Sequence, residues 1–105
     1  MRAGVMDRFI TIEAATTTFS DAGAPVETWS TFAPLRAELV TNKTADDERA
    51  SGSTTDVHLT FRTWWVNGIT LDHRLTYAGQ AYEIRDLAEI RRRRGLDITA
   101  RRIGP

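Results

Sequence analysis

Apolar and polar residues alternate at every second position along most of this chain, the period of a β-strand with one buried face. Arg8–Glu13 places Ile10 and Ile12 on one side and reads as a first strand. Phe19–Pro25 is turn-rich, with Asp21 and Gly23 supplying the chemistry of a reversal. Val26–Phe32 carries Val26, Trp29 and Phe32. Pro34 then interrupts, and Leu35–Val40 reads as a second strand with Leu35, Ala37 and Leu39 on one side. Val57–Trp65 aligns Val57, Leu59, Phe61 and Thr63, and Asn67-Gly68 signals a turn. Leu71–Tyr77 and Gln80–Arg85 flank Ala78-Gly79 as the clearest hairpin, its outgoing strand continuing toward Ile90. In the last strand Leu96, Ile98 and Ala100 alternate with Asp97, Thr99 and Arg101.

The pattern predicts an all-β fold: a small antiparallel β-barrel or sandwich of about six strands, with no long helix. Length predicts one domain spanning residues 1–105. Residues 41–55 hold almost nothing to bury and read as a long, flexible polar loop. Thr44 as a cap, with Asp46 and Asp47 in a first turn, leaves room there for a short helix over Ala45–Ala50.

Charge divides this neutral chain. Glu89–Pro105 carries six arginines against Glu89 and Asp97, or +4, so the other 88 residues sum to −4. The acidic counterpart lies in the polar stretch, with Asp46, Asp47, Glu48 and Asp56 against Lys43 and Arg49. A basic pole and an acidic loop can bind an anion, or a second copy of the same chain. Thirteen of the fourteen basic residues are arginine, the side chain suited to bidentate contact with carboxylate or phosphate.

Arg91–Arg94 falls at a hairpin turn rather than on a helix, so it has no register with which to read a DNA groove. It can touch phosphate without reading sequence, meet an acidic partner surface, or simply keep strand ends solvated. Trp64-Trp65 sits in a strand, where neighbours face opposite sides. One ring is expected in the core and the other at the surface as a contact residue, unless the strand ends at Trp64 and both pack.

Catalytic chemistry is sparse. There is no cysteine, hence no disulfide, zinc-thiolate site or thiol nucleophile. His58 and His73 lack the spacing of metal ligands, and no nucleophile motif accompanies them. Asp46-Asp47-Glu48 lacks the alternating ligands and central glycine of a calcium loop. No enzyme activity, metal or cofactor is expected. No apolar run reaches the ~20 residues of a membrane helix, and the N-terminus has no long apolar stretch of a signal peptide. The chain therefore reads as a soluble intracellular product.

In order and spacing, several segments are similar to one family. MRAG…DRFITIEAA resembles its short basic start and first strand, and DAGAPVETW its D-x-x-G-x-P-x-x-T-W turn. DVHLTFRTWWVNGIT resembles the segment ending in Gly-Ile-Thr, and Gly79 followed by Tyr82-Glu83-Ile84 its most diagnostic piece. These segments span nearly the whole chain and resemble the head–tail joining proteins of long-tailed phages, also called head-closure, stopper or connector proteins. Relatives of these occur in prophages and gene transfer agents. Trp64-Trp65 and the arginine density at the last turn depart from the family pattern.

The resemblance implies a non-enzymatic virion protein made in the bacterial cytoplasm and located at the neck of a phage or phage-like particle. It implies a cyclic ring, six copies favoured and twelve possible, between the portal and its adaptor on one side and a tail terminator or tail-tube protein on the other. The ring closes the DNA exit and docks the tail, with DNA passing through the lumen without sequence-specific contact. Subunits in a ring meet through two different patches. Asp46, Asp47, Glu48, Arg49, Trp64 and Trp65 are the expected subunit or partner contacts, and Arg91, Arg92, Arg93 and Arg94 the expected contacts with an acidic partner or DNA. The competing reading is a small-barrel nucleic-acid-binding module, which combines a basic groove with exposed aromatics. A small-barrel enzyme is a further alternative, needing His58, His73 and a carboxylate in one pocket.

Overall fold

A computed structural model describes residues 5–47 and 54–103. Apart from a 3-10 turn at Val5, regular structure among them is strand: β1 (Arg8–Phe19), β2 (Pro25–Asp47), β3 (Thr54–Trp64), β4 (Arg74–Tyr77), β5 (Gln80–Ile90) and β6 (Gly95–Arg102). All pairings are antiparallel, and the sheet closes on itself in the order β1-β2-β3-β6-β5-β4. It is a closed barrel rather than a two-sheet sandwich.

Alternation in sequence becomes rows of side chains around the interior. Leu39 lies opposite Phe61, Phe61 opposite Ile98, and Ile98 opposite Leu87. A second row joins Ala33, Ile12, Leu75 and Tyr82. A third joins Leu59, Ala100 and Ile84. Phe61, Ile12, Leu75 and Ile98 have no exposed surface. Each such burial contributes about 1.5–3 kcal/mol. Thr63, the one buried polar residue among those described, donates its hydroxyl to the Arg36 carbonyl at 3.0 Å and so is satisfied inside the core, whereas the buried Arg102 Nε has no hydrogen-bond partner. With fewer than the roughly eight strands at which a barrel interior is just filled, the barrel is a packed core and not a pore.

Two hairpins outgrow the barrel. Beyond Glu13, β1 has no partner but β2, so Ala14–Phe19 and Pro25–Ser30 form a two-stranded arm. At the other end of β2, Thr44–Asp47 pair with Thr54–Val57, before β6 joins β3 at His58. The radius of gyration is 15.5 Å, against roughly 13 Å for a compact chain of this length.

Four expectations change, one of them at Leu71–His73, which form a turn before β4 rather than its first residues. The polar stretch 41–55 is not a loop over most of its length: Thr41–Asp47 and Thr54-Thr55 are paired strand, and residues 48–53 lie outside the described part. A helix over Ala45–Ala50 is excluded at Ala45–Asp47, which are strand. Pro34 does not divide β2, which runs 23 residues. From Pro25 to Ala37 β2 is paired with β1 alone, and β3 joins only at Glu38, so an edge position accommodates a residue without an N–H.

Turn geometry is local chemistry. Ala78 (φ 52°) and Gly79 (φ 78°) both have positive φ, as a two-residue type I′ hairpin turn requires. In the β3–β4 connection, Gly68 holds φ 89°, and a Cβ there would approach Phe32 Cζ to 3.2 Å, so a side chain would add backbone strain and require the ring to shift by a few tenths of an ångström.

Candidate assembly surfaces

Arg91–Arg94 link β5 to β6 at a four-residue turn closed by the Arg94 N–H, which donates to the carbonyls of Ile90 (3.0 Å) and Arg91 (3.2 Å). Arg91, Arg92 and Arg93 take φ values of 45°, 53° and 65°. The left-handed conformation costs a residue with a Cβ roughly 1–2 kcal/mol, and here three successive arginines adopt it. All four side chains are exposed. Arg93 is partly engaged, 3.4 Å from Glu89 and 5.4 Å above the Trp65 ring. Among the described residues, no ion pair neutralises Arg91, Arg92 or Arg94.

The tryptophan pair adjoins this turn. β3 ends at Trp64, which lies opposite Gly95, and the Trp65 N–H donates to the Arg94 carbonyl at 3.1 Å. Trp64 is 43% exposed, while Trp65 is half-buried against the core. The expectation of one inner and one outer ring holds, although the strand stops between them.

Where β2 and β3 diverge, a shallow groove opens between Pro34–Arg36 and Thr63, Trp64 and Val66, with Met6 also in its lining. A separate depression shares Pro34–Arg36 and is lined by Phe9, 70% exposed, whose ring lies 5.2 Å from the Arg36 guanidinium. The groove is mostly apolar, with Arg36 and Thr63 in its lining, and its Trp64 pairs with Gly95, the residue that follows the arginine turn.

Elsewhere the outer face is closed by polar pairs. Arg62 donates from Nε and Nη2 to the two Asp97 oxygens at 2.9 and 3.1 Å. That bond, with the charges of Asp97 and Glu38, raises the Arg62 guanidinium further above its ordinary range, against a small opposing effect of burial. The Thr60 and Thr99 hydroxyls meet at 3.2 Å on the same face.

The acidic residues lie at the opposite end. Asp46 and Asp47 are in the outgrown β2–β3 hairpin, while Trp64 closes the far end of β3. Glu48 and Arg49 fall outside the described residues. The acidic hairpin and the arginine turn of one copy are therefore not neighbours. The histidines also stay apart: His58 lies in β3 opposite Lys43 and Arg101, whereas His73 Nδ1 accepts the Thr70 N–H at 2.9 Å and its ring packs on Phe32 at 4.6 Å. Among the described residues, no group of three or more His, Asp or Glu is placed to hold a metal ion.

Sequence reasoning missed the β1–β2 arm as a surface. The available signal was that apolar alternation lapses after Ile12, leaving Phe19 and Val26 isolated among threonines and turn residues. In the structure they are 73% and 44% exposed.

A family model described as phage head completion protein matches residues 1–103. Among solved structures, a chain from the virion of a native gene transfer agent particle superimposes with a TM-score of 0.72 and 17% identity, covering 92% of this chain and 94% of that one. At that identity the likeness is one of fold. No curated protein matched the sequence.

Proposed function

The chain belongs to the phage head completion proteins, and on that premise we propose that it assembles as a ring at the head–tail joint of a phage or phage-like particle. The family match over residues 1–103 is the observation that carries this reading. The ring sits between portal or adaptor and tail terminator or tail-tube protein, closes the DNA exit, and presents a docking surface to the tail. Six copies match a sixfold tail; twelve would match the portal. The role is structural, not catalytic.

The packed barrel supports one feature of this reading. With the interior filled by Phe61, Ile98 and their neighbours, DNA has no route through a subunit and must pass between copies, through the centre of the ring. The two ends of β3 supply different chemistry to the layers above and below: an acidic hairpin at one and Arg91–Arg94 with Trp64 at the other. In this assignment Asp46, Asp47, Glu48, Arg49, Trp64 and Trp65 serve subunit or partner contacts. Arg91–Arg94 serve assembly first and DNA backbone contact second.

Electron microscopy of particles from a producing strain lacking this chain tests the proposal. Expected are DNA-leaking or empty heads alongside separate, complete tails. Joined, infectious particles in its absence would remove the chain from the joint.

A further inference from the structure

The β1–β2 arm and the Pro34–Trp64 groove are two unpartnered surfaces of opposite character on one chain. A two-stranded ribbon outside its sheet is marginally stable in water. The free edge of β1, Ala14–Phe19, carries no charge, no proline and no bulge, the devices by which exposed edges normally discourage pairing. An arm built this way is suited to being covered.

Its chemistry matches the groove. Residues 14–30 contain Asp21 and Glu27 and no Lys or Arg, a charge of −2, with exposed Phe19 and Val26 beside them. The groove offers Pro34, Leu35, Trp64 and Val66, with Arg36 in its lining, and Trp64 pairs with Gly95, the residue that follows Arg91–Arg94. An acidic arm with an apolar tip is complementary to a mostly apolar slot whose lining includes one cation, Arg36.

Placement also fits. β2 runs from the arm through the barrel, and β3 returns antiparallel to end at Trp64, so arm and groove sit at the same end of the barrel. Rotation about a ring axis along the barrels keeps that end of every copy on one side. It also requires two different patches per copy.

We infer that the β1–β2 arm of one copy seats Phe19 in the Pro34–Trp64 groove of a second copy of this chain, with Asp21 and Glu27 facing Arg36 and the arginine turn. The contact repeats head-to-tail around the ring. This rests on the ring reading above and names the surfaces that make it.

The chain has no cysteine, so introduced pairs report unambiguously. Particles carrying Phe19→Cys with Pro34→Cys are purified, oxidised and run without reductant. A ladder of dimers and higher multiples is expected, absent from both single variants. Phe19→Cys with Val66→Cys repeats the test on the other wall, should Pro34→Cys disturb β2. Particles that contain the chain but yield only monomer, a bond within one copy, or cross-links from Phe19→Cys alone overturn the inference and leave the ring reading standing. Complete particles containing no copy of the chain overturn both. Phe19→Asp, which removes the buried ring and adds a charge to the slot, weakens each contact about tenfold or more. It leaves the thermal unfolding of the isolated chain unchanged.

Discussion

Arg74 Nε donates to Glu13 Oε1 at 2.7 Å, across the seam where β4 meets β1 and the barrel closes. Both side chains are largely covered, 27% and 18% exposed, and the Arg74 guanidinium also lies 4.4 Å above the Trp29 ring. One arginine thus ties three elements: β4 through its backbone, β1 through Glu13, and the base of the arm through Trp29. A charge-assisted bond in such a setting is worth about 1.5–3 kcal/mol. Arg74→Ala should therefore destabilise the chain by about that much, and more than Glu13→Gln, which keeps the cation stacked on Trp29. Urea denaturation of both single variants and the double variant measures the coupling. An additive double variant would mean that the pair contributes nothing of its own.

The same residues mark what sequence can and cannot disclose. Ile10, Ile12, Phe61, Ile84 and Ile98 alternate strictly, and the strands holding them were legible because one face of each is buried. The choice of barrel over sandwich was not, because closure is a long-range pairing of Ile10–Glu13 with Arg74–Tyr77 that local alternation does not encode. Thr41–Asp47 looked like a loop because, past the barrel, a two-stranded ribbon has no core to face and no apolar period to write. Pro34 looked like a break because its tolerance comes from the missing neighbour on one edge of β2, a property of topology. Leu71–His73 continued the alternation into β4 on paper. In the structure they form a turn, held by His73 Nδ1 and the Thr70 hydroxyl, which accept the backbone N–H groups of Thr70 and Asp72. The basic turn was placed correctly from Gly95 and the flanking strands. Its left-handed backbone had no signal, since arginine does not favour it.

That backbone makes the arginine turn a site where stability and role diverge. Arg92 holds φ 53° with its side chain in solvent. Glycine adopts this conformation without steric cost, so Arg92→Gly should stabilise the isolated chain by up to about 1 kcal/mol. If the arginines serve assembly, the stabilised variant will join heads to tails less well than the parent. Arg92→Glu with Arg93→Glu should abolish joining while shifting the thermal midpoint little. Intact ring formation and tail docking in that double variant would sink the assembly role.

Exposed and buried phenylalanines should separate cleanly. Phe61 has no exposed surface and makes an edge-on contact with Tyr77 at 5.0 Å. Phe61→Ala should cost about 3–5 kcal/mol, a large fraction of the roughly 5–15 kcal/mol that holds a small domain folded. Phe9 is 70% exposed and Phe19 73%. Alanine at either position should change stability by no more than about 0.5 kcal/mol. Denaturant midpoints of the three variants check this, and a loss at Phe19 comparable to that at Phe61 would mean that the arm packs on its own barrel.

DNA contact has a ceiling set by the turn itself. Counterion release lowers the logarithm of the binding constant with the logarithm of salt at about 0.9 per phosphate neutralised. With Arg91–Arg94 as the contact, four phosphates at most are engaged, for a slope no steeper than about −3.6. Arg62 is committed to Asp97 and Arg74 to Glu13, so neither adds to it. Affinity for bulk duplex should be weak at physiological salt and indifferent to sequence. Arg91→Ala with Arg94→Ala should reduce the slope by about two. Fluorescence titration across a salt series measures both values. A parent slope near −8 would require basic residues well beyond the turn and would bring the nucleic-acid-binding module forward as the better reading.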